Sequence, residues 1–345
     1  MIPIQNVYYM LSYAFQVLNE QGYKNIATEQ FHNTAELMAA ILEKGIALQL
    51  KRGLGKEYIL QTETLSSLRG KIDIAESIKT QSMLRKQLIC TYDEFSVNSI
   101  MNRIIKSTVE LLLRSNISKQ RKKNLRKLMV YFSEVDFIDL YTVNWNVQYN
   151  RNNQTYRMLI SICYLVVKGL LQTQSNGHTK LMDFLDEQRM CRLYEKFILE
   201  YYRREFKNQI TANASQIPWQ LDNEENSLLP VMQSDIMLQS GEKVLIIDAK
   251  YYEHSTQVQF DKHTLHSGNL YQIFTYVKNK EYELREKDHT VSGMLLYAKT
   301  DEAIYPNNVY QMSGNQITVR TLDLNLLFDE IAGQLNTIAK THFDL

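Results

Sequence analysis

A short apolar strand that ends in two charged residues most constrains the fold of this 345-residue chain. Residues 244–250 read Val-Leu-Ile-Ile-Asp-Ala-Lys, and the turn-forming residues Ser240-Gly241-Glu242 precede them. Side chains alternate along a strand, so Asp248 and Lys250 share one face. Because an unpaired buried charge is expensive, a strand of this kind needs an ionic or functional reason for its charged end.

The partner strand supplies a second carboxylate. Residues 231–238 predict a strand, and a hairpin centred between Gly241 and Glu242 sets Asp235 directly opposite Asp248. Opposed Cβ atoms lie about 4.5–5.5 Å apart, and two carboxylates this close repel each other unless a cation lies between them. Mg²⁺ is usually held by one or two carboxylates together with waters and phosphate oxygens. The hairpin therefore predicts a Mg²⁺ site for phosphodiester chemistry, in which Lys250 orients water or stabilises the phosphorus.

An ordinary salt-bridged hairpin explains the same residues. The loose pattern of an acid, a gap and then acid-any-Lys arises by chance about once in a chain of this composition. Two helices help to decide between the salt-bridged hairpin and the metal site. Glu195, in a helix predicted over 188–206, belongs either to the site or to a solvated surface. Gln272 and Tyr276 lie one turn apart on one face of a helix predicted over 268–279, which favours the metal site.

The hydrophobic period divides the chain into two parts. Helical spacing dominates the first part, with strand-like stretches at 58–65 and 88–95, and the second part alternates helices with strands, which indicates an α/β or α+β fold. The polar, aperiodic residues 172–180 are typical of a linker, so we predict an N-terminal domain over 1–172 and a C-terminal domain over 173–345. Residues 1–150 carry 19 basic and 14 acidic side chains, against 20 and 24 in residues 151–345, which predicts different partners.

Composition excludes several classes of protein. With 39 basic and 38 acidic residues, the chain is not a polybasic coat for nucleic acid. Its three cysteines are far apart, which excludes a CxxC zinc site and a disulfide framework. The longest apolar run, residues 158–167, is about half of what a membrane span needs, and the N-terminus lacks signal-peptide features. We expect a soluble, cytoplasmic protein that contacts no membrane.

A basic stretch in the first half has three readings. Residues 119–127 hold six cations, which can track DNA phosphates, form a solvated helix face or meet an acidic partner. The solvated face is the simplest of these readings. The sequence contains no GxxxxGK[ST] motif, so a P-loop nucleotide is not expected on this chain itself.

The order of acid, hairpin, acid-any-Lys and helical Gln-x-x-x-Tyr resembles that of RecB-like PD-(D/E)xK nucleases. Nearly the whole chain resembles the McrC family, the nuclease subunits of McrBC modification-dependent restriction systems. The stretches that carry this resemblance are residues 2–14, 69–72, 95–107, 229–252 and 269–272. It implies a mostly helical, partner-binding N-terminal domain with a small β element. A restriction-endonuclease-like domain follows, with a mixed central sheet flanked by helices.

The resemblance also implies activity and partners. The C-terminal half cleaves double-stranded DNA that contains modified cytosine and requires Mg²⁺. The N-terminal half docks onto a McrB-like AAA+ GTPase, a hexameric ring that binds the GTP, and stimulates its hydrolysis. Arg69, Lys71 and Arg103 are candidates for that stimulation. Two alternatives are a non-catalytic GTPase-activating adaptor and a stand-alone RecB-like nuclease.

Site residues follow from the same resemblance. Asp235 and Asp248 are implied metal ligands with the Ala249 carbonyl as a third, and Lys250 is the catalytic lysine. Gln272 and Tyr276 match the auxiliary helix motif, and Glu195 matches the helix acid. Ser234 departs from the pattern, because it stands where the superfamily has proline.

Overall fold

The computed structural model describes residues 2–19, 23, 26, 29–151, 153–175, 187–222, 228–252, 257–259, 262–299 and 305–345. The chain forms two compact units, a helical unit of residues 31–184 and a sheet unit of residues 1–30 and 185–345. The predicted domain boundary at 172/173 lies close to the point, between residues 184 and 185, where the helical unit ends. The first 30 residues, however, belong to the sheet unit. The predicted linker begins within the last helix of the helical unit, and its residues 176–180 lie outside the described residues.

Helices dominate the first half of the chain, and strands are more frequent in the second half. In chain order, the helices and strands are α1 (Ile4–Ala14), α2 (Thr34–Arg52), β1 (Glu57–Leu65), β2 (Lys71–Asp73), α3 (Ile74–Lys79), β3 (Leu88–Ser96), α4 (Ile100–Arg114), α5 (Lys119–Met129), α6 (Tyr156–Ser175), α7 (Glu187–Glu205), β4 (Thr211–Asn213), β5 (Gln216–Ile217), β6 (Met232–Gln233), β7 (Ile236–Ser240), β8 (Lys243–Lys250), β9 (Gln257–Gln259), β10 (Lys262–Thr264), α8 (Ser267–Glu283), β11 (Thr290–Ala298), β12 (Asn308–Met312), β13 (Asn315–Leu322) and α9 (Phe328–Phe343).

The helical unit packs α2, α4, α5 and α6 together and carries a small antiparallel sheet in the order β1-β3-β2. A buried group of polar contacts joins three segments of this unit. The Tyr156 hydroxyl donates to Asn102 Oδ1 at 2.7 Å and accepts the Gly55 N–H at 2.7 Å. Each of these polar groups is satisfied, so the contact fixes the start of α6 against α4 and the loop before β1.

A six-stranded mixed sheet forms the centre of the sheet unit, in the order β12-β13-β11-β8-β7-β4. The strands β8, β11 and β13 are parallel, and the remaining pairs are antiparallel. β8 is therefore central, and its residues 244–249 are buried. Helix α8 connects β8 to β11 and packs on both, while α7 packs on β4, β7 and β8.

Two glycines set how closely these elements approach. Gly241 has φ +56° at the first central residue of the two-residue turn between β7 and β8, which type II′ hairpin turns require. Gly293 lies on β11 under α8, where a Cβ atom would come within 2.8 Å of the Ile273 and Ile317 side chains. A larger residue at position 293 would push α8, and the site residues on it, away from the sheet.

Helix α1 packs within the sheet unit, mainly against α7. The Tyr13 ring contacts those of Phe197, Tyr201 and Phe328 at centroid distances of 5.3 to 5.7 Å. The buried Asn6 Nδ2 donates to the carbonyls of Leu324 and Leu326, both at 2.8 Å. Periodicity predicts that α1 has an apolar face, but it cannot identify a partner about 180 residues away.

Replacing Asn6 with alanine should destabilise the sheet unit by about 1–3 kcal/mol, because two carbonyls lose their buried donor. Urea denaturation followed by tryptophan fluorescence and circular dichroism measures the change. Asn325→Ala serves as the matched control, because the Asn325 side chain is exposed in the same segment. Equal stability of the two variants would contradict the expected role of Asn6.

The fold class predicted from the sequence is confirmed. A helical unit with a small sheet accompanies a mixed central sheet flanked by helices, consistent with a restriction-endonuclease-like domain. β12 and β13 form a second hairpin, at Gly314, and the predicted strand at 231–238 is divided into β6 and β7. No helix within the described residues combines the length and apolarity needed to span a membrane.

Candidate active site

The hairpin register brings the two predicted carboxylates together. Ser240 pairs with Lys243 and Ile236 pairs with Ile247, so the next position sets Asp235 opposite Asp248, as predicted. Asp235 lies just before β7 begins. Its Oδ2 accepts the Ala249 N–H at 2.9 Å, so the carboxylate bonds the backbone of β8 where the strand pairing ends.

Asp248 is the most buried charged group of the site, with 1% of its side chain exposed. Lys250 Nζ forms an ion pair with its Oδ1 at 2.9 Å. Apart from this ion pair, neither carboxylate oxygen has a hydrogen-bond partner among the described residues. Burial raises the pKa of Asp248 to about 8, the Lys250 ammonium opposes this shift, and the Asp235 carboxylate adds to it. Ionising this buried carboxylate therefore costs free energy unless a further cation offsets the loss of hydration.

Lys250 is held by a short polar chain from α8. Its Nζ donates to Gln272 Oε1 at 3.3 Å, and Gln272 Nε2 donates to the Tyr276 hydroxyl at 2.9 Å. Burial is the largest single influence and favours the neutral amine, but the Asp248 charge, the contact with Asp248 and the Asp235 charge together outweigh it and raise the pKa of Lys250 above its ordinary value. The lysine is therefore a cation, and the helical pair predicted from the Gln-x-x-x-Tyr spacing orients it.

Glu195 on α7 belongs to the same charged environment. Burial and the negative charge of Asp235 raise its pKa, which favours the site over the solvated surface. The Cys191 thiol donates to Glu195 Oε1 at 3.0 Å and lies 3.8 Å from the Ala249 carbonyl. Sequence reasoning did not connect Cys191 with this site. Its helical spacing of four residues from Glu195 was the available signal.

The donor set fits a hard divalent cation. Two carboxylates and the Ala249 carbonyl lie at the end of β8, and the Lys250 ion pair is the one polar contact of the Asp248 oxygens among the described residues, fewer than a buried carboxylate needs. Within the described part of the chain, no three His, Cys, Asp or Glu side chains cluster as a metal site. Two carboxylates completed by a carbonyl and waters suit Mg²⁺ better than Zn²⁺, which prefers several nitrogen or sulfur ligands.

A second polar network, not predicted from the sequence, fixes the start of α8. The Asn269 Nδ2 donates to the Tyr297 hydroxyl at 2.9 Å, and the Tyr252 hydroxyl donates to Asn269 Oδ1 at 3.3 Å. Tyr297 lies on β11, and its Cα pairs with that of Lys250. The network therefore ties the helix that carries Gln272 to the strand beside Lys250.

Ser234 uses a donor that proline lacks. It is 1% exposed, its N–H donates to the Ser215 carbonyl at 3.0 Å, and its hydroxyl lies 3.2 Å from the same oxygen. The bonds hold the chain between β6 and β7, directly before Asp235. Serine thus supports the position of the first carboxylate by hydrogen bonding instead of by a fixed ring.

If this site has the nuclease activity that the sequence resemblance implies, replacing Gln272 with alanine should lower the turnover of DNA cleavage by about 10-fold to 100-fold, since Lys250 loses its neutral acceptor. Mg²⁺ binding should not change, because Gln272 is not a carboxylate ligand. Cleavage rates and Mg²⁺ titrations measured separately test this split. Thr275→Ala on the exposed side of α8 is the control, and equal rates for both variants would contradict the positioning role.

The three cations considered for partner stimulation lie in the helical unit. Arg69 stacks over the Tyr92 ring at 3.9 Å, and Lys71 is exposed on β2. Arg103 Nη2 donates to the Phe137 carbonyl at 3.2 Å. Arg69 and Arg103 thus have structural contacts of their own, while Arg69 and Lys71 are both exposed.

Comparison with known proteins agrees with this architecture. A family profile described as "McrBC 5-methylcytosine restriction system component" matches residues 5–298. The chain is 30% identical over 329 residues to the Escherichia coli K12 protein named "Type IV methyl-directed restriction enzyme EcoKMcrBC", covering 94% of this chain and 93% of that protein.

A solved structure shares the fold. It is a half-complex from a tetradecameric assembly of Thermococcus gammatolerans McrB AAA+ hexamers with bound McrC. The match has a TM-score of 0.50 and 18% identity, and it covers 97% of this chain and 76% of the other. The resemblance found in the sequence is confirmed by the family profile and the E. coli relative. This chain belongs to the family of McrBC 5-methylcytosine restriction system components.

Proposed function

We propose that this chain is the Mg²⁺-dependent endonuclease subunit of a modification-dependent restriction complex. It hydrolyses phosphodiester bonds in double-stranded DNA that contains methylated cytosine, in the cytoplasm, and it acts with a McrB-type AAA+ GTPase. One observation carries the proposal. Asp235, Asp248 and Lys250 converge at the end of one central strand, where the Asp248 carboxylate is buried and, apart from its ion pair with Lys250, lacks hydrogen-bond partners among the described residues.

Each residue has a part in phosphodiester hydrolysis. Asp235, Asp248 and the Ala249 carbonyl would hold Mg²⁺, which when bound acts as a Lewis acid and lowers the pKa of water. Lys250 remains protonated and donates from Nζ, which orients the attacking water and stabilises the charge that develops on the phosphoryl oxygens. The attacking water loses a proton to solvent as its oxygen forms a P–O bond, the P–O bond to the leaving oxygen breaks, and that oxygen takes up a proton from solvent.

The partner assignment rests on relatives and on one surface. The E. coli relative is named as a restriction enzyme, and the T. gammatolerans structure contains McrB AAA+ hexamers with bound McrC. In the helical unit, Tyr58 and Leu60 on β1 and Phe95 on β3 are 75%, 68% and 55% exposed. An exposed apolar cluster of this kind is typical of a protein interaction site. We assign this sheet to contact with the GTPase ring, whose GTP hydrolysis the chain stimulates.

Plasmid cleavage tests the proposed function. The purified chain is incubated with Mg²⁺ on methylated and unmethylated plasmid, with and without the AAA+ protein and GTP. Cutting only when partner, GTP and methylated DNA are all present supports the proposal. Cutting by the chain alone would indicate a stand-alone nuclease, and stimulated GTP hydrolysis without any cutting would indicate an adaptor. Either result overturns the proposal.

A further inference from the structure

The basic stretch singled out in the sequence forms one continuous face of helix α5. Lys119, Lys123 and Arg126 follow the i, i+4, i+7 spacing that places side chains on one side of a helix, and all three are exposed. Lys122 and Lys127 flank this row. We call these five residues the basic face. The helix contains no acidic residue.

The opposite side of α5 is anchored, which fixes the direction of the basic face. Leu125 is fully buried. Arg121 pairs with Glu43 at 2.8 Å and with Glu36 at 3.4 Å, and Asn124 Nδ2 donates to Glu43 Oε1 at 2.9 Å. Rotation of the helix about its axis would break these contacts. The basic face is therefore held outward by the packing of the helical unit.

The acids nearest to α5 are already used by other groups. Glu36 accepts the N–H and hydroxyl of Ser118 at 2.7 and 2.9 Å, and Glu43 is shared by Arg121 and Asn124. Among the described residues, no ion pair neutralises the five cations of the basic face. Lys44 of α2 lines the same shallow cleft as Lys127 and extends the positive surface.

The chemistry of the basic face favours nucleic acid over protein. Protein interfaces have an apolar centre and are depleted in lysine, whereas α5 exposes no apolar side chain between its first and last residues. From Lys119 to Arg126 the helix rises about 10 Å at 1.5 Å per residue. That length corresponds to about three phosphates of one DNA strand, which are spaced 3.4 Å apart along the duplex axis. The row of cations on the helix therefore has about the same length as three successive phosphates of one DNA strand.

We propose that the basic face of α5 binds the phosphate backbone of double-stranded DNA without reading its sequence. The binding surface lies in the helical unit and is separate from the residues assigned to cleavage. It draws on the proposed function only in taking duplex DNA as the ligand. It gives the chain an affinity for DNA that is independent of Mg²⁺, of cytosine modification and of the AAA+ partner.

Fluorescence anisotropy with a labelled duplex in EDTA, without the partner, tests this assignment. The full chain is compared with the triple variant Lys119→Gln, Lys123→Gln, Arg126→Gln. Each lost phosphate contact should reduce the slope of log K against log salt by about 0.9, so the triple variant should lose about 2–3 from the slope. Its affinity near 0.1 M salt should fall at least about 10-fold, equally for methylated and unmethylated DNA.

Two control variants keep the result interpretable. Lys207→Gln, Lys287→Gln, Lys340→Gln removes the same charge from three exposed positions in separate segments and should bind nearly as the wild type does. Lys119→Arg, Lys123→Arg, Arg126→Lys keeps the charge of the basic face and should also bind normally. Circular dichroism confirms that all the variants are folded.

Three results would overturn the assignment. They are a wild-type chain that does not bind duplex DNA, a triple variant with an unchanged salt slope, and a loss no greater than that of the scattered control. If the triple variant binds DNA normally but no longer stimulates the partner GTPase, the basic face is a protein contact instead. None of these readouts involves cleavage, so a failure to bind DNA leaves the proposed nuclease function intact, and a failure of cleavage leaves this binding measurable.

Discussion

Replacing Lys250 with alanine should reduce DNA cleavage by the assembled complex by about 10²-fold to 10³-fold, which is the usual cost of removing one preorganised donor to a developing anion. The lysine is held for that role. Its Nζ lies between Asp248 Oδ1 and Gln272 Oε1, and the two carboxylates Asp248 and Asp235 together raise its pKa despite burial. Stimulation of the partner GTPase should not change, since that function is assigned to the helical unit.

A lysine at the other end of the same strand gives the matched control. Lys243 begins β8 and pairs with Asp344 at the surface. Lys243→Ala removes the same charge and should leave cleavage at the wild-type level. Single-turnover cleavage and steady-state GTP hydrolysis are measured on the same preparations. Equal cleavage by the two variants would exclude Lys250 from catalysis, and joint loss of cleavage and GTPase stimulation would indicate a defect in assembly.

The hairpin at the site could be predicted because its register and its faces depend only on residues that are close together in the sequence. The turn at Gly241-Glu242 fixes the register, the alternation of side chains fixes the face, and together they set Asp235 opposite Asp248. The same local rules failed at Ser234. They joined β6 and β7 into one strand, because the interruption depends on hydrogen bonds to Ser215, 19 residues away.

Contacts between parts of the chain that are distant in sequence could not be predicted from the sequence alone. An apolar stripe on α1 predicts burial, but its contacts with Phe197 and Phe328 depend on tertiary packing. The contact between Asn269 and Tyr297 likewise requires α8 and β11 to be placed first. Glu195 had two readings that pattern alone could not separate, and the raised pKa next to Asp235 now favours the site.

Replacing Asp248 with asparagine should stabilise the metal-free chain while it abolishes cleavage. Burial raises the pKa of Asp248 to about 8, against 3.8 for an ordinary aspartate. The folded state therefore binds a proton that the unfolded state releases near pH 4. The stability linked to this proton is complete below about pH 4 and is lost progressively as the pH rises to about 8. Asparagine resembles protonated aspartate at every pH, so the variant keeps this stability as the pH rises.

The expected gain is about 2–4 kcal/mol at neutral to mildly alkaline pH. It should shrink toward about pH 5, where less of the linked stability has been lost. Urea denaturation in EDTA at several pH values measures it. Asp344→Asn is the control, because Lys243 lowers the pKa of this exposed carboxyl, and the linked stability is lost only in acid. That variant should not change the slope of stability between about pH 5 and about pH 9.

Added Mg²⁺ connects this stability effect to the site. A cation that binds only the folded state stabilises it by RT ln(1 + [Mg²⁺]/Kd), so the wild type should gain stability as Mg²⁺ is added. The Asp248→Asn variant keeps only one of the two carboxylate ligands of the site, so Mg²⁺ should stabilise it far less. The denaturation midpoints of the wild type and the variant should therefore converge as Mg²⁺ is added. If the variant is instead less stable than the wild type in EDTA at alkaline pH, the Asp248–Lys250 pair is a structural salt bridge. The charged end of β8 would then hold the fold together without holding a metal ion.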